Sequence, residues 1–391
     1  MKLKHLQLTN FRHLRELEFD FTYQSGERKG QVLDKICIIG QSATGKTSVL
    51  ELIKWWLTEK IPMKKKGLET NFIEISHGVR AIIDFENIID ESKILSFSSE
   101  ILNSTNFQNF EKSMKHDKEI FSIAKNDKVG QNIDPLDFIE DPVIDFDKID
   151  LWKAIFQPFI AYRNSFMNVV SNNIDSQESY QKIVEWKTKN PSPFDKLGEK
   201  CINPVFSKFN LEVDTKDTTS LIVLKPKNTE KGVPTSALST GTKQLLLTAL
   251  PIYALSNDQN IIMIDEPERS LYPDIQIGLM DYYRGLAPKS QFIVATHSPF
   301  IAAAFEPDER FILYFDNAGN VQVKRGSSPI GDDPNDILVN DFGLQSIIND
   351  AGKQVWEEYL TLKSKMLFEQ DKSRKNDLLH QVEKLEEEYN F

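Results

Sequence analysis

The sequence predicts an α/β protein built on a largely parallel sheet, and three observations carry that expectation. First, the short apolar run ICII, residues 36–39, leads straight into a polar, glycine-bearing loop and then into residues with helical spacing. Second, two more runs, IIMID at 261–265 and FIVAT at 292–296, are apolar almost throughout, as strands covered on both faces are. Third, helical patterns separate these runs: TKQLLLTAL before the first and DIQIGLMDYYRGL between the two. Strands alternating with helices imply a layered α/β architecture.

The remaining elements follow in order. LKHLQL at 3–8 and LEFDF at 17–21 alternate apolar with polar residues, as half-buried strands do, with Asn10-Phe11-Arg12 between them. After Thr47, the residues Val49, Leu50, Ile53 and Leu57 share a helical face, and Trp55 and Trp56 are expected to pack in the core or against an insertion. Residues 62–234 are richer in Asn, Ser, Asp and Lys. They read as an insertion and lid region with short strands (VRAIIDF, LIVLKP) and helices (SYQKIVEWKTK), loop-rich over 103–135. Beyond Gly352 the chain has neither Gly nor Pro, and Val355, Tyr359, Leu362 and Met366, then Leu378, Val382, Leu385 and Tyr389, step at helical spacing. This is one long helix or a helical hairpin, in either case an interaction arm. The expected division is 1–61 and 235–330 for a catalytic domain in two parts, 62–234 for the insertion and 331–391 for the arm.

Composition bounds the function. The 391 residues are 40% hydrophobic and 27% charged, which excludes a wholly disordered chain. No apolar run approaches the roughly 20 residues of a membrane span. Only Cys37 and Cys201 occur, so a disulfide framework is excluded and a reducing, cytoplasmic location is expected. The net charge of −11 argues against a general polyanion-binding surface. Lys60, Lys64, Lys65 and Lys66 form the one basic cluster that keeps direct DNA binding open.

Four stretches carry chemistry. Gly40-Gln41-Ser42-Ala43-Thr44-Gly45-Lys46-Thr47, followed by Ser48, fits G-x-x-x-x-G-K-[ST] between a buried strand and a helix. Its backbone N–H groups cradle phosphates, Lys46 reaches the β and γ phosphates, and the Thr47 hydroxyl can ligate Mg²⁺. The apolar strand 261–264 ends in Asp265-Glu266, where one carboxylate can hold the metal shell and the other can take a proton from attacking water. In Leu238-Ser239-Thr240-Gly241-Thr242-Lys243-Gln244, Ser239 can cap a helix and Gly241 leaves its first amides uncovered, which makes a second anion site. The strand 292–295 ends in Thr296-His297-Ser298, which brings an imidazole near the same crevice.

Taken in order, GQSATGKT, LSTGTKQ, IIMIDEPERSLYPD and VATHSP resemble the Walker A, signature, Walker B with D-loop, and switch-histidine motifs of ABC-type ATPases. The wording DEPERSLYPD and the opening LQLTNFRHLRELEFDF are most similar to the branch holding RecF, the SMC-like proteins and the OLD-family ATPases, including those of bacterial anti-phage systems. The resemblance implies an ABC-type P-loop NTPase fold: a mixed β-sheet flanked by helices, with a large α/β insertion and a C-terminal helical arm. It implies ATP and Mg²⁺ as cofactors, Asp265 supporting the metal, Glu266 as general base and His297 as γ-phosphate sensor. Ser239 and Gly241 would act on the ATP of a second protomer, with Ser270 and Asp274 across that interface, so a homodimer or higher oligomer sandwiching ATP is the expected active unit. Gln157, in IFQPFIAYR, is the candidate lid glutamine and metal neighbour. Thr240 departs from the family pattern, which has Gly there.

Three functions compete on these grounds. The favoured one is the ATPase subunit of an anti-phage defence complex controlling an effector protein, and the alternative is a DNA-repair or chromosome-maintenance ATPase that binds DNA itself. A nuclease is disfavoured, because fewer than about 100 residues follow His297 and domains seldom fall below about 50. The acidic run Asp145, Asp147 and Asp150 is expected to be solvated surface.

Overall fold

The computed structural model describes residues 2–64, 73–75, 79–86, 94–97, 143–144, 149–174, 179–214, 224–234, 237–254 and 259–389, with Ile83 the one side chain described within 56–154. The stretch 103–135, Lys65, Lys66, Asp145 and Asp147 lie outside the described residues.

The opening segments form the antiparallel hairpin β1 (Lys2–Phe11) and β2 (Leu14–Asp20). Then come β3 (Lys35–Gly40), α1 (Lys46–Lys64), β4 (Ile73–Ile75), β5 (Val79–Glu86), β6 (Ile94–Phe97) and β7 (Val143–Ile144). Helices α2 (Ile149–Asn173) and α3 (Ser179–Lys189) precede the small hairpin β8 (Leu211–Val213) and β9 (Leu224–Pro226). The second half supplies α4 (Thr240–Ala254), β10 (Ile261–Asp265), α5 (Pro273–Ile277), α6 (Leu279–Leu286), β11 (Gln291–Ala295), β12 (Arg310–Phe315) and β13 (Val321–Arg325). The chain ends in α7 (Asp350–Phe368) and α8 (Lys372–Tyr389).

Seven strands form the central sheet in the order β13-β12-β3-β11-β10-β6-β7, parallel except for β13. A second, antiparallel sheet has the order β2-β1-β5-β4. The mixed-sheet fold expected from the sequence is therefore present. Strands β5 and β6 come from within 62–234, so that segment completes both sheets as well as supplying helices.

The pleat divides the core into two. Ile36 and Ile38 of β3, with Ile261, Met263 and Ile293, face the antiparallel sheet and α1, where Leu3, Leu6, Phe19, Val49 and Ile53 close the layer. Cys37 and Ile39, with Ile262, Ile264, Phe292 and Val294, face α2, α4 and α6. Burial on both faces explains why these strands read as continuous apolar runs. Gln291 ties the layers together: its side chain accepts from the Leu3 N–H at 2.6 Å and donates to the Leu3 and Leu33 carbonyls at 3.0 and 2.8 Å.

Two helical expectations are refined. DIQIGLMDYYRGL breaks at Gly278 into α5 and α6. The C-terminal pattern is a hairpin: Asp371 turns the chain by accepting the Arg374 N–H at 2.9 Å, and Tyr359 and Val382 are its two buried side chains. Trp55 stands 36% exposed at the surface of α1, so it is not a core residue.

Candidate active site

Because β3, β10 and β11 are parallel neighbours with β11 in the middle, their C-terminal ends open on one edge of the sheet. That edge receives the Gly40–Lys46 loop, the Asp265-Glu266 pair and Thr296-His297. The crevice at strand ends is where open α/β sheets bind ligands.

The loop has little freedom. A Cβ on Gly40 would lie 2.2 Å from the Leu313 carbonyl oxygen, so β12 approaches too closely for any other residue. Ala43 takes a left-handed conformation, φ +66°, and the Thr44 hydroxyl donates to the Gln41 carbonyl at 2.8 Å. Lys46 is buried and its Nζ donates to the Gly40 and Gln41 carbonyls at 3.0 and 3.1 Å. Burial pushes the Lys46 ammonium down from its usual range, against the opposing pull of Asp265, Glu266 and Glu268. An anion placed in this loop restores the balance. Ser48 points the other way and accepts from Arg12 Nη1 at 3.1 Å, while Arg12 also pairs with Glu51.

The two halves of the site meet where the Thr47 hydroxyl donates to Asp265 Oδ2 at 2.8 Å. These residues are 218 positions apart in sequence. Burial raises the Asp265 carboxyl to about 6, partly offset by the Thr47 hydrogen bond. The Thr47 hydroxyl and the Asp265 carboxylate are hard oxygen donors of the kind Mg²⁺ takes, and a divalent cation would relieve the buried carboxylate. Among the described residues no group of three or more His, Cys, Asp or Glu is arranged to hold a metal ion by itself. Thr47 and Asp265 would offer an ion one or two protein oxygens, with phosphate and water completing its shell.

Glu266 holds a strained backbone, φ +51°, fixed by its N–H donating to the Ala295 carbonyl at 2.8 Å. This turns its side chain toward His297, whose Nε2 is 4.0 Å from Glu266 Oε1. Burial, and the Lys46 charge after it, push the His297 imidazole below its usual range, so the ring is neutral at neutral pH.

Ser239 caps α4 as expected, its Oγ accepting from the Thr242 N–H at 3.2 Å. A Cβ on Gly241 would meet the Ser270 carbonyl oxygen at 2.4 Å, so the loop after β10 packs against the first turn of α4. Ser239, Thr240, Ser270 and Asp274 are all exposed on this face, beside Tyr272 at 74% and Ile277 at 59% exposure. Gln157 sits half-buried in α2 next to Pro158, and among the described residues no hydrogen bond joins it to Thr47 or Asp265. Asp150, the described member of the acidic run, opens α2.

Sequence reasoning missed Glu268, the third acid of Asp265-Glu266-Pro267-Glu268. Its carboxylate accepts from the Thr296 hydroxyl and from the His297 N–H, each at 2.7 Å. The sequence offered one signal, an acid two residues past the candidate base, but its partners lie 28 and 29 positions away.

The family model described as AAA domain matches residues 5–222, more than half of the chain. The chain belongs to the AAA domain family. A second model of the AAA kind, AAA ATPase domain, matches residues 161–302 and spans the Asp265-Glu266 strand and His297. This AAA-domain chain is accordingly a P-loop ATPase, with a mixed sheet, four ordered motifs and a site formed where three of them meet. Solved structures similar to it include an SMC head bound to the C-winged helix domain of ScpA, 12% identical with a TM-score of 0.39 over 84% of this chain and 98% of that one. The SMC head domain from Thermotoga maritima is 15% identical, with a TM-score of 0.38 over 84% and 100%. The SMC head domain from Pyrococcus furiosus with an extended coiled coil, bound to the C-terminal domain of ScpA, is 12% identical, with a TM-score of 0.40 over 83% and 96%. No curated protein matches the chain.

Proposed function

We propose that this AAA-domain chain is an ATP-gated switch that closes as a homodimer around ATP, and that it serves as the ATPase subunit of an anti-phage defence complex controlling an effector protein. The observation that carries the switch is the meeting of three strand ends: Thr47 on Asp265 at 2.8 Å and Glu266 facing His297 at 4.0 Å, beside the Lys46 loop. The motif wording DEPERSLYPD supports the defence setting by its resemblance to OLD-family ATPases.

In this reading the amides of residues 40–47 and Lys46 hold the β and γ phosphates. Lys46 exchanges its carbonyl partners for phosphate oxygens. Thr47 and Asp265 would hold Mg²⁺, which would supply neutralising charge to the phosphate oxygens. Glu266 accepts a proton from the water that attacks the γ-phosphorus, the bond to the β–γ bridging oxygen breaks, and ADP and phosphate remain. His297, neutral and half-exposed, donates to the γ-phosphate and loses that contact after hydrolysis. The exposed face formed by Ser239, Thr240, Ser270, Tyr272 and Ile277 receives the second protomer, and Gln157 acts as the lid. ATP then favours the closed dimer by its differential contacts, and hydrolysis removes them. The α7–α8 hairpin and the 62–234 region carry the effector.

Ser239→Arg tests the composite site. It should abolish ATP-dependent dimerisation in sedimentation while leaving ATP binding by the protomer intact, and an undiminished dimer contradicts the proposal. The alternative, direct DNA binding, predicts an ATP-dependent shift of a duplex probe with a steep salt slope. A flat response to duplex at low salt removes it.

A further inference from the structure

We propose that Glu268 is a positioning residue that sets the place of the His297 ring, by clamping the backbone at Thr296 and His297 to the loop that follows β10. The inference rests on the switch-histidine role given to His297 above.

The clamp has two jaws on one carboxylate. Oε1 accepts the His297 N–H and Oε2 accepts the Thr296 hydroxyl, both at 2.7 Å, the length of charge-assisted hydrogen bonds. Thr296 passes the restraint on, because its Oγ1 accepts the Ser298 N–H at 2.9 Å. A second tie runs parallel: the Ser298 hydroxyl donates to Gln276 Oε1 at 2.6 Å, and Gln276 Nε2 donates to the Leu271 carbonyl at 2.8 Å. Three consecutive residues beyond β11 are thus fastened to the segment beyond β10.

This fastening matters because, among the described residues, no hydrogen bond holds the imidazole itself. Among the described residues the His297 ring makes no hydrogen bond, and Glu266 Oε1 lies 4.0 Å from its Nε2. The side chain is 44% exposed. With no hydrogen bond of its own, the ring takes its position relative to Glu266 in large part from the backbone that carries it. Glu268 spends its carboxylate on that backbone and acts through His297, not on the nucleotide. A site group held by its neighbours within about 0.5 Å of productive geometry depends on such support.

The test is a double-mutant cycle on the full chain, reading steady-state ATP hydrolysis with Mg²⁺ and the affinity for a fluorescent ATP analogue. His297→Ala and Glu268→Ala are each expected to lower kcat about 10- to 100-fold, as loss of a supporting shell does, with analogue affinity held within about threefold. The double variant should be no slower than His297→Ala alone, since Glu268 has nothing left to position. Glu268→Gln keeps a carbonyl for the His297 N–H and an amide for the Thr296 hydroxyl, and it should restore most of the rate. Thr296→Val keeps the shape and removes one jaw, so a smaller loss in the same direction is expected even where Glu268→Ala folds poorly. Multiplicative losses in the double variant, or a normal kcat in Glu268→Ala, overturn the proposal while leaving the role of His297 standing. Normal turnover by His297→Ala overturns that role and the Glu268 proposal with it.

Discussion

The two-sheet part of the molecule that carries the candidate site, its head, and the C-terminal hairpin are both built from apolar patterns at regular spacing, yet they are held in different ways. In the head, β3, β10 and β11 are buried along their whole length, and each serves two cores through alternate residues. In the hairpin, 37 helical residues bury Tyr359 and Val382, with the Tyr359 hydroxyl on Glu386 at 2.7 Å as the main polar tie. Leu367 and Phe368 near its bend stand 72% and 83% exposed. Stability in the head is therefore shared with the candidate site, because the strands that make the core also deliver the residues proposed to act there. The hairpin buries little of its own, and on the proposed reading it is a separable element whose exposed apolar residues face a partner.

The comparison breaks most sharply at Arg310 and Asp341. Both are fully buried and paired at 2.8 Å, with Arg310 also donating to the Ala302, Phe305 and Ser328 carbonyls. Asp341→Ala leaves a buried guanidinium uncompensated and should cost about 3–5 kcal/mol in urea unfolding, taking ATP hydrolysis down with the fold. Gly241→Ala forces the Ser270 carbonyl to move and should cost about 1–3 kcal/mol, as overpacking does. Because that carbonyl belongs to the loop carrying Glu268, turnover should fall more than stability alone explains. Val382→Ala removes about two methylene equivalents, roughly 1.6 kcal/mol, from the hairpin alone. Amide exchange should rise across α7 and α8 while hydrolysis by the head stays unchanged. A loss of head activity in Val382→Ala would mean that the two regions are not separable.

The sheet and the three strand-end motifs were legible because wholly apolar strands and the glycine loop are local patterns, set by burial on both faces and by backbone approach to phosphate. ICII, IIMID and FIVAT fell where the structure has β3, β10 and β11. The C-terminal spacing left a single helix and a hairpin equally open, since the decision rests on how Asp371 turns the chain. The place of β5 and β6 could not be read from 62–234, because membership of a sheet is decided by pairing with β1 and β10, far away in sequence. Glu268 escaped for the same reason. Its partners Thr296 and His297 come from another strand end, and no local pattern records them. Gly241 shows the reverse case: the glycine was noticed, but the neighbour packed against it, Ser270, was not.

The central claim is that residues from three strand ends form one hydrolytic site, and Glu266→Gln tests it most directly. ATP binding and turnover are measured on the same preparation with Mg²⁺. Binding should be retained, hydrolysis should fall about 10²–10⁴-fold as expected for loss of a general base, and the ATP-bound dimer should accumulate. Turnover at the wild-type rate would contradict the account.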